Sequence, residues 1–165
     1  AYSDKDELNG RYVDTTSENF IRTMNISCFS FTAVAKAAYG LMKKNGGNML
    51  FFSSAASNIG LANHEAIAAA KGGLEGLVKS AAATYSKNNI RVNAIAPSIL
   101  NTPMSEKFLN SETKIENARN RHPLKEIGSA KDIAEIVKFL LIDESKWMTG
   151  QIIPFDGGMS SVKTN

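Results

Sequence analysis

Three short apolar segments alternate with longer amphipathic ones, and this alternation constrains the fold more than any other feature of the sequence. The apolar segments are of strand length and lie at 49–52, 90–96 and 151–155. The segments between and before them repeat apolar side chains at helical spacing, over about 17–44, 64–87 and 130–142. Strands that alternate with helices of this length pair in parallel, with helices covering both faces of the sheet. The sequence therefore predicts an α/β fold with three parallel strands.

Local signals mark where these helices begin and end. Thr15 and Glu18 have the spacing of a capping box, and Ser129 precedes the last helix as an N-cap. Asn45-Gly46-Gly47 is a left-handed stop signal for the first helix. One or two further short helices are predicted between 104 and 121.

A sheet of only three strands is narrow, and its edges need a partner. Met49–Phe52 is predicted to be buried on both faces, and at an edge it would leave backbone groups open for pairing. The helix over 64–87 contains Gly72, Gly73 and Gly76, each of which costs a helix about 1 kcal/mol relative to alanine. These glycines predict the close approach of another backbone. We expect an N-terminal region, a partner chain or a second copy to complete the sheet.

Composition excludes several classes of protein. A chain of 165 residues with 43% hydrophobic residues fits one globular domain, residues 1–165. The net charge of +3 is scattered, without the basic stripe that nucleic-acid binding requires. No apolar run has the length of a membrane span and no signal pattern opens the sequence, which predicts a cytoplasmic protein. The one cysteine, Cys28, has no neighbours suited to a metal site and is predicted to be buried.

Five motifs carry a resemblance that composition and periodicity could not supply. They are Ser53-Ser54, Lys71 behind an alanine-rich turn, Ile90–Pro97, Thr102-Pro103-Met104, and Thr149-Gly150-Gln151 leading to Asp156-Gly157-Gly158. In this order and spacing, over essentially the whole chain, they resemble the short-chain dehydrogenase/reductase family. The family implies a Rossmann-like doubly wound parallel sheet, an NAD or NADP cofactor and oxidoreductase chemistry.

The resemblance points to two branches of that family. The runs 8–16 and 26–31, followed by Ala35-Lys36-Ala37-Ala38, are similar to the enoyl-acyl-carrier-protein reductases. The middle and the end of the chain look more like the carbonyl reductases. The branch is left open at this point.

The family's catalytic residues are matched only in part. In the family, a serine, a tyrosine and a lysine four residues after the tyrosine cooperate in hydride transfer, and the phenol supplies the proton. Ser54 and Lys71 match the serine and the lysine, but the tyrosine position holds Ile67. A hydrocarbon side chain has no transferable proton, so the resemblance implies that the usual mechanism is interrupted at its central step.

Two further residues are catalytic candidates by the same resemblance. The enoyl reductases carry the tyrosine seven residues before the lysine, and that position is His64, whose imidazole could serve as the acid. The alternative for His64 is a surface or capping histidine at a helix N-terminus. Asn25 lies where the family has an asparagine that connects the lysine to a water chain.

Pro97, Leu100 and Thr102 match the family segment that contacts the cofactor, together with Lys71, although Ser98 replaces a glycine in it. The loop and short helices between 103 and 125 would set the substrate, and they carry apolar Phe108, Leu109 and Ile115. No metal ligands are predicted.

The pyrophosphate-binding turn of a dinucleotide fold is missing from this sequence. Neither GxxxGxG nor GxGxxG occurs among the 165 residues. The predicted fold is therefore a partial Rossmann-like sheet, with three strands, flanking helices and the N-terminal βαβ units absent. Three hypotheses follow: one part of an oxidoreductase that is inactive alone, a non-catalytic subunit or scaffold that oligomerises through the helix 64–87, and a truncated product.

Overall fold

The computed structural model describes residues 15–163. The helices are α1 (Ser17–Met24), α2 (Ser30–Met42), α3 (Glu65–Tyr85), α4 (Glu112–Asn120) and α5 (Ala130–Leu141). The strands are β1 (Gly47–Phe52), β2 (Ile90–Pro97), β3 (Leu100–Asn101), β4 (Gly128–Ser129) and β5 (Ile152–Phe155). No helix of this part of the chain combines the length and the apolarity needed to cross a membrane.

The main sheet consists of the three predicted strands. Its order is β1-β2-β5 and both pairs are parallel, with Gly47 opposite Ile90 and Ala94 opposite Ile152. This confirms the α/β fold with three parallel strands. A second, two-stranded parallel sheet joins β3 to β4 and was not predicted, because two residues are too few to give a periodic signal.

The central strand β2 separates two different environments. Ile90, Val92 and Ala94 belong to the buried core that α2 and α3 form on one face. Since successive side chains of a strand point to opposite faces, Arg91 and Asn93 face the other way. There Arg91 donates hydrogen bonds to the Leu140 and Met148 carbonyl oxygens, which ties α5 and its following loop to the sheet.

The helix boundaries differ from the predictions in two details. The N-cap of α1 is Thr16 rather than Thr15, and its hydroxyl accepts a hydrogen bond from the Asn19 amide at 3.2 Å. The predicted helix over 17–44 contains a π-helical segment, Asn25–Phe29, between α1 and α2. Two predictions are confirmed: Gly46 ends this region with φ +76°, and Ser129 caps α5 in a capping box with Asp132.

The prediction that Met49–Phe52 is buried on both faces is wrong for the part of the chain that the structure describes. Met49 is buried, but Phe52 is 47% exposed. In addition, β1 is an edge strand, because no described strand pairs with its outer side. The edge is thus open in the way that the narrow sheet implied.

The glycines of α3 do not meet another backbone within residues 15–163. A Cβ atom built on Gly72 or Gly76 finds no atom within 4 Å, and one on Gly73 meets only the Cys28 Sγ, at 3.2 Å. The expected close approach is therefore absent from the described part of this chain, and this face of α3 is open.

We expect Gly72→Ala and Gly76→Ala each to raise the free energy of unfolding of the isolated chain by up to about 1 kcal/mol. Alanine restricts the unfolded backbone and favours the helix, and nothing in the described structure obstructs the added methyl group. Urea unfolding monitored by circular dichroism measures the change. Gly46→Ala is the matched control and should destabilise, because its φ is +76° and its Cβ would lie 2.7 Å from the Asn89 carbonyl oxygen.

Candidate functional site

The candidate site lies at the carboxyl ends of the three parallel strands. Because β1, β2 and β5 run in the same direction, the residues that follow them meet at one edge of the sheet: Ser53, Ser98 and Asp156. Ligands of open α/β sheets bind outside this edge.

Lys71 lies near the carboxyl ends of the strands, where its side chain binds the end of β1. Its ammonium group donates a hydrogen bond of 2.7 Å to the carbonyl oxygen of Phe52. Burial lowers the pKa of Lys71, and interaction with the nearby Cys28 partly offsets that effect. Burial likewise raises the pKa of Cys28, whose side chain is 3% exposed as predicted. Lys71 is therefore not a lysine on a solvated helix face.

The lowered pKa of Lys71 predicts a pH-dependent stability. Between its folded-state pKa and 10.5 the unfolded chain binds more protons than the folded chain, so stability must rise with pH through that interval. We expect the free energy of unfolding of the wild type minus that of Lys71→Met to increase as pH rises toward 10.5. Chemical unfolding across an alkaline pH series measures this difference.

Both proteins in that comparison should carry Cys28→Ala. The pKa of Cys28 is raised, so its own titration lowers stability with rising pH and would oppose the effect of Lys71. A difference that stays flat with pH in this background would contradict the burial of the Lys71 ammonium.

Ser54 lies in the loop after β1, where its hydroxyl accepts a hydrogen bond of 3.2 Å from the Ala56 amide. The loop is fastened to α3 by Glu75, a residue that sequence reasoning missed. One carboxylate oxygen of Glu75 accepts hydrogen bonds from Ser53 Oγ and Ser57 Oγ, each at 2.5 Å. The available signal was an acidic residue one helical turn after Lys71, within the stretch 72–78 whose other residues are all small or apolar.

His64 occupies the N-cap position of α3, but its side chain makes no capping hydrogen bond. Its Nδ1 lies 2.8 Å from the Ala62 carbonyl oxygen, and since a carbonyl can only accept, Nδ1 carries a hydrogen. The remaining ring nitrogen, Nε2, is thus the one that could exchange a proton. His64 lines a surface groove with Leu61, Arg121 and Met159.

Asn25 is the first residue of the π-helical segment, and its side chain is exposed. Its carbonyl oxygen accepts the hydrogen bond from the Ser30 amide that closes this segment. Asn25 makes no direct hydrogen bond to Lys71 in the described structure. The residue of this segment that interacts with Lys71 is Cys28.

The three predicted cofactor contacts follow β2. Pro97 ends that strand opposite Phe155, and Leu100 pairs with Gly128 in the small sheet. The Thr102 amide donates a 3.0 Å hydrogen bond to Ser105 Oγ, and Ser105 Oγ in turn donates to the Leu100 carbonyl oxygen. Ser105 therefore fixes this segment, a role that the sequence did not indicate.

A second groove lies beyond this segment. Its lining includes Leu109 and Ile115, two of the three apolar residues predicted to cover a substrate, and Asn101 from β3. Phe108, the third, is 39% exposed. The predicted apolar cover is thus present in part.

The described residues fit only one end of a dinucleotide. The ammonium of Lys71 and the segment from Pro97 to Thr102 provide polar groups and backbone suited to a nicotinamide and its ribose. The turn after β1 is serine-rich and tied down by Glu75, and no glycine-rich turn that could hold a pyrophosphate exists in the sequence. Residues 15–163 also contain no group of three metal-ligating side chains. We therefore derive no hydride-transfer step from this chain by itself.

Comparison with known sequences gives one consistent result. A family model described as enoyl-(acyl carrier protein) reductase matches residues 1–160. The NADH-dependent enoyl-acyl-carrier-protein reductase 2 of Rhizobium meliloti is 38% identical over 157 residues, which cover 95% of this chain and 58% of that protein. A chloroplastic tropinone reductase homolog of Arabidopsis thaliana is 32% identical over 149 residues, covering 90% of this chain and 46% of its own length. The chain therefore spans about half to three fifths of these relatives.

Solved structures agree with the fold. The aldohexose dehydrogenase of Thermoplasma acidophilum superposes with a TM-score of 0.86 at 26% identity, covering 96% of this chain and 67% of the other. ElxO with NADP bound gives a TM-score of 0.87 at 25% identity, covering 94% of this chain and 63% of the other.

Proposed function

Because this chain belongs to the enoyl-(acyl carrier protein) reductase family of short-chain dehydrogenases/reductases, we propose that it supplies the substrate side of an NAD(P)-dependent reductase. We further propose that it is inactive alone. The observation that carries the proposal is the Lys71 ammonium, held against the end of β1 beside the Ser54 loop while the outer edge of β1 is open. The segment 1–165 acts as one domain in this proposal, in the cytoplasm.

The chain's own residues would have distinct roles. Ser54 orients the substrate oxygen, and Lys71 binds the nicotinamide ribose, with Leu100 and Thr102 lining the same pocket. Ile67 occupies the position where the family donates a proton, which is why activity is expected to be lost. His64, two helical turns before Lys71, is the remaining candidate acid through its Nε2.

Cofactor titration tests the proposal. We expect purified chain to leave the fluorescence of NADH and NADPH unchanged up to millimolar concentrations, because its sequence contains no glycine-rich turn for the pyrophosphate. We expect binding once a polypeptide with a glycine-rich βαβ unit pairs with the β1 edge. Saturable binding by this chain alone would refute the proposal, and Lys71→Met serves as the control for binding at the proposed pocket.

If the native protein does show reductase activity, His64→Ala is expected to lower turnover about 10²-fold, as loss of a general acid does. The measurement is turnover at saturating cofactor for wild type, His64→Ala and His64→Gln. Activity that survives both substitutions would remove His64 from the reaction.

A non-catalytic scaffold is the second candidate function, and the open face of α3 favours it. Among residues 15–163, no atom lies within 4 Å of a Cβ built on Gly72 or Gly76, so another copy of the helix could approach closely there. Sedimentation of purified chain should then show a stable oligomer that Gly76→Leu disrupts. A well-behaved folded monomer would argue strongly against this function.

A further inference from the structure

A serine and a buried histidine form a hydrogen-bonded pair at the carboxyl end of the central strand. Ser98 Oγ lies 2.6 Å from His122 Nε2, and His122 Nδ1 lies 2.8 Å from the Ala118 carbonyl oxygen. The two residues are 24 positions apart. Ser98 lies within the segment 97–102 that is suited to the nicotinamide, but neither side chain has been given a role in the reductase.

The second contact fixes the protonation of the histidine. Because the Ala118 carbonyl can only accept, Nδ1 carries the hydrogen, and Nε2 of the neutral ring is left as an acceptor. The hydroxyl of Ser98 must then donate to Nε2. A hydroxyl that donates to a histidine whose other nitrogen is oriented by a third group is the arrangement of an activated nucleophile.

The surroundings hold this arrangement rigidly and leave one side accessible. His122 is 2% exposed and packs against Gly157, where an added Cβ would lie 3.2 Å from His122 Cβ. Ser98 is half-buried, and its amide donates to the Phe155 carbonyl oxygen at 3.2 Å. The base is therefore enclosed, and the half-buried serine beside it lies at the carboxyl end of β2.

We propose that Ser98 and His122 form a nucleophile and base pair that accepts an acyl group from an activated ester or thioester. This activity is separate from the reductase and needs no cofactor.

Each step balances within the pair, the acyl donor and water. Ser98 Oγ attacks the acyl carbon while its proton passes to His122 Nε2. The bond to the leaving group then breaks, the thiolate or alkoxide takes the proton from Nε2, and an ester of Ser98 remains. Water later attacks that ester, giving its proton to Nε2, and the acyl group leaves as a carboxylic acid when Ser98 recovers the proton.

The structure also predicts that the second half is slow. The Ser98 amide already donates to the Phe155 carbonyl oxygen and cannot stabilise the oxyanion that forms in either half, and loss of one such donor slows each half about 10²–10³-fold. The second half additionally requires water to reach a histidine that is 2% exposed, so it is the slower of the two. The acylated serine should therefore accumulate, which makes it directly observable.

The experiment treats purified full chain with p-nitrophenyl acetate, follows nitrophenolate release, and maps the acetyl group by peptide mass spectrometry. We expect a burst of one equivalent per chain with the acetyl group on Ser98. Ser98→Ala should abolish the burst, and Ser98→Cys should retain it. The matched control is Ser80→Ala, which removes an exposed serine of α3 and should behave as wild type.

His122→Gln tests the base, with a thermal melt to establish that it folds. In folded His122→Gln, the rate of the burst should fall about 10²-fold or more. If this variant does not fold, the location of the acetyl group in the wild type still tests whether Ser98 is the nucleophile. Acetyl groups on lysines alone, no acetylation at all, or a burst of wild-type size in folded His122→Gln would overturn the proposal. None of these readouts involves NAD(P), so their failure is distinct from that of the reductase.

Discussion

Replacing Arg91 by alanine is expected to lower the free energy of unfolding by about 3 kcal/mol, the largest single effect on stability that we predict. The Arg91 guanidinium donates to the carbonyl oxygens of Leu140, Ile142 and Met148 and to Ser145 Oγ, over distances of 2.9–3.2 Å. Alanine would remove these four charge-assisted hydrogen bonds beneath α5. The carbonyl oxygens would keep the bonds that Asn93 and Ser145 donate, but a hydrogen bond to a charged group contributes about 1.5–3 kcal/mol. Urea unfolding monitored by circular dichroism measures the loss.

Two variants make the Arg91 result interpretable. Arg91→Lys keeps the charge but has one ammonium group in place of the planar fork, so it should fall between wild type and alanine. Arg119→Ala removes an exposed arginine whose ion pair with Glu116 is 3.9 Å long, and it should change stability by less than about 0.5 kcal/mol. Equal effects of Arg91→Ala and Arg119→Ala would mean that the network on this face of β2 contributes little.

The order of helices and strands could be predicted because each produces a local pattern in the spacing of apolar residues. The helix α5 illustrates this: its apolar positions repeat at helical spacing, and Ser129 caps it. The strand β2 was recognisable as a run of apolar residues, but the alternation that places Arg91 and Asn93 on the second face required the structure. Their partners lie about 50 residues further along the chain, so no local pattern indicates them.

The candidate site was predictable only where a residue's chemistry could be read from its position in a motif. Lys71 was singled out in this way, yet its hydrogen bond to Phe52 depends on how α3 packs against β1. Glu75 was missed because its partners, Ser53 and Ser57, come from a loop 18–22 residues earlier. For Ser98, the sequence showed only that a serine replaced a glycine, and the contact with His122 arises from tertiary packing.

The edge of the sheet shows the opposite case, in which the count of strands was informative and a local pattern was not. The count predicted an open edge at β1, and within residues 15–163 β1 is an edge strand, with Phe52 47% exposed. That another polypeptide completes the sheet stays a prediction. The local prediction of burial on both faces was wrong because an apolar run does not indicate which elements are present to cover the strand.

Restoring a proton donor is the second large effect that we expect. In the native protein, isolated with whatever completes its sheet, Ile67→Tyr should raise reductase turnover by about 10²–10⁴-fold, the usual contribution of a general acid. Ile67 lies one helical turn before Lys71 on α3, so the two side chains share a face. The Lys71 ammonium would favour the ionised phenol and lower its pKa toward the working range. Oxidation of NADH or NADPH against carbonyl and enoyl-thioester substrates measures the gain.

Ile67→Phe is the matched control, because it adds the same ring at this half-buried position without the hydroxyl. Any gain shared by the phenylalanine variant comes from packing and not from proton transfer. Lys71→Met combined with Ile67→Tyr should lose most of the gain, since the phenol then has no neighbouring cation. If the tyrosine and phenylalanine variants are equally active, Ile67 does not occupy the proton-donor position, and the proposal that its side chain prevents activity is wrong.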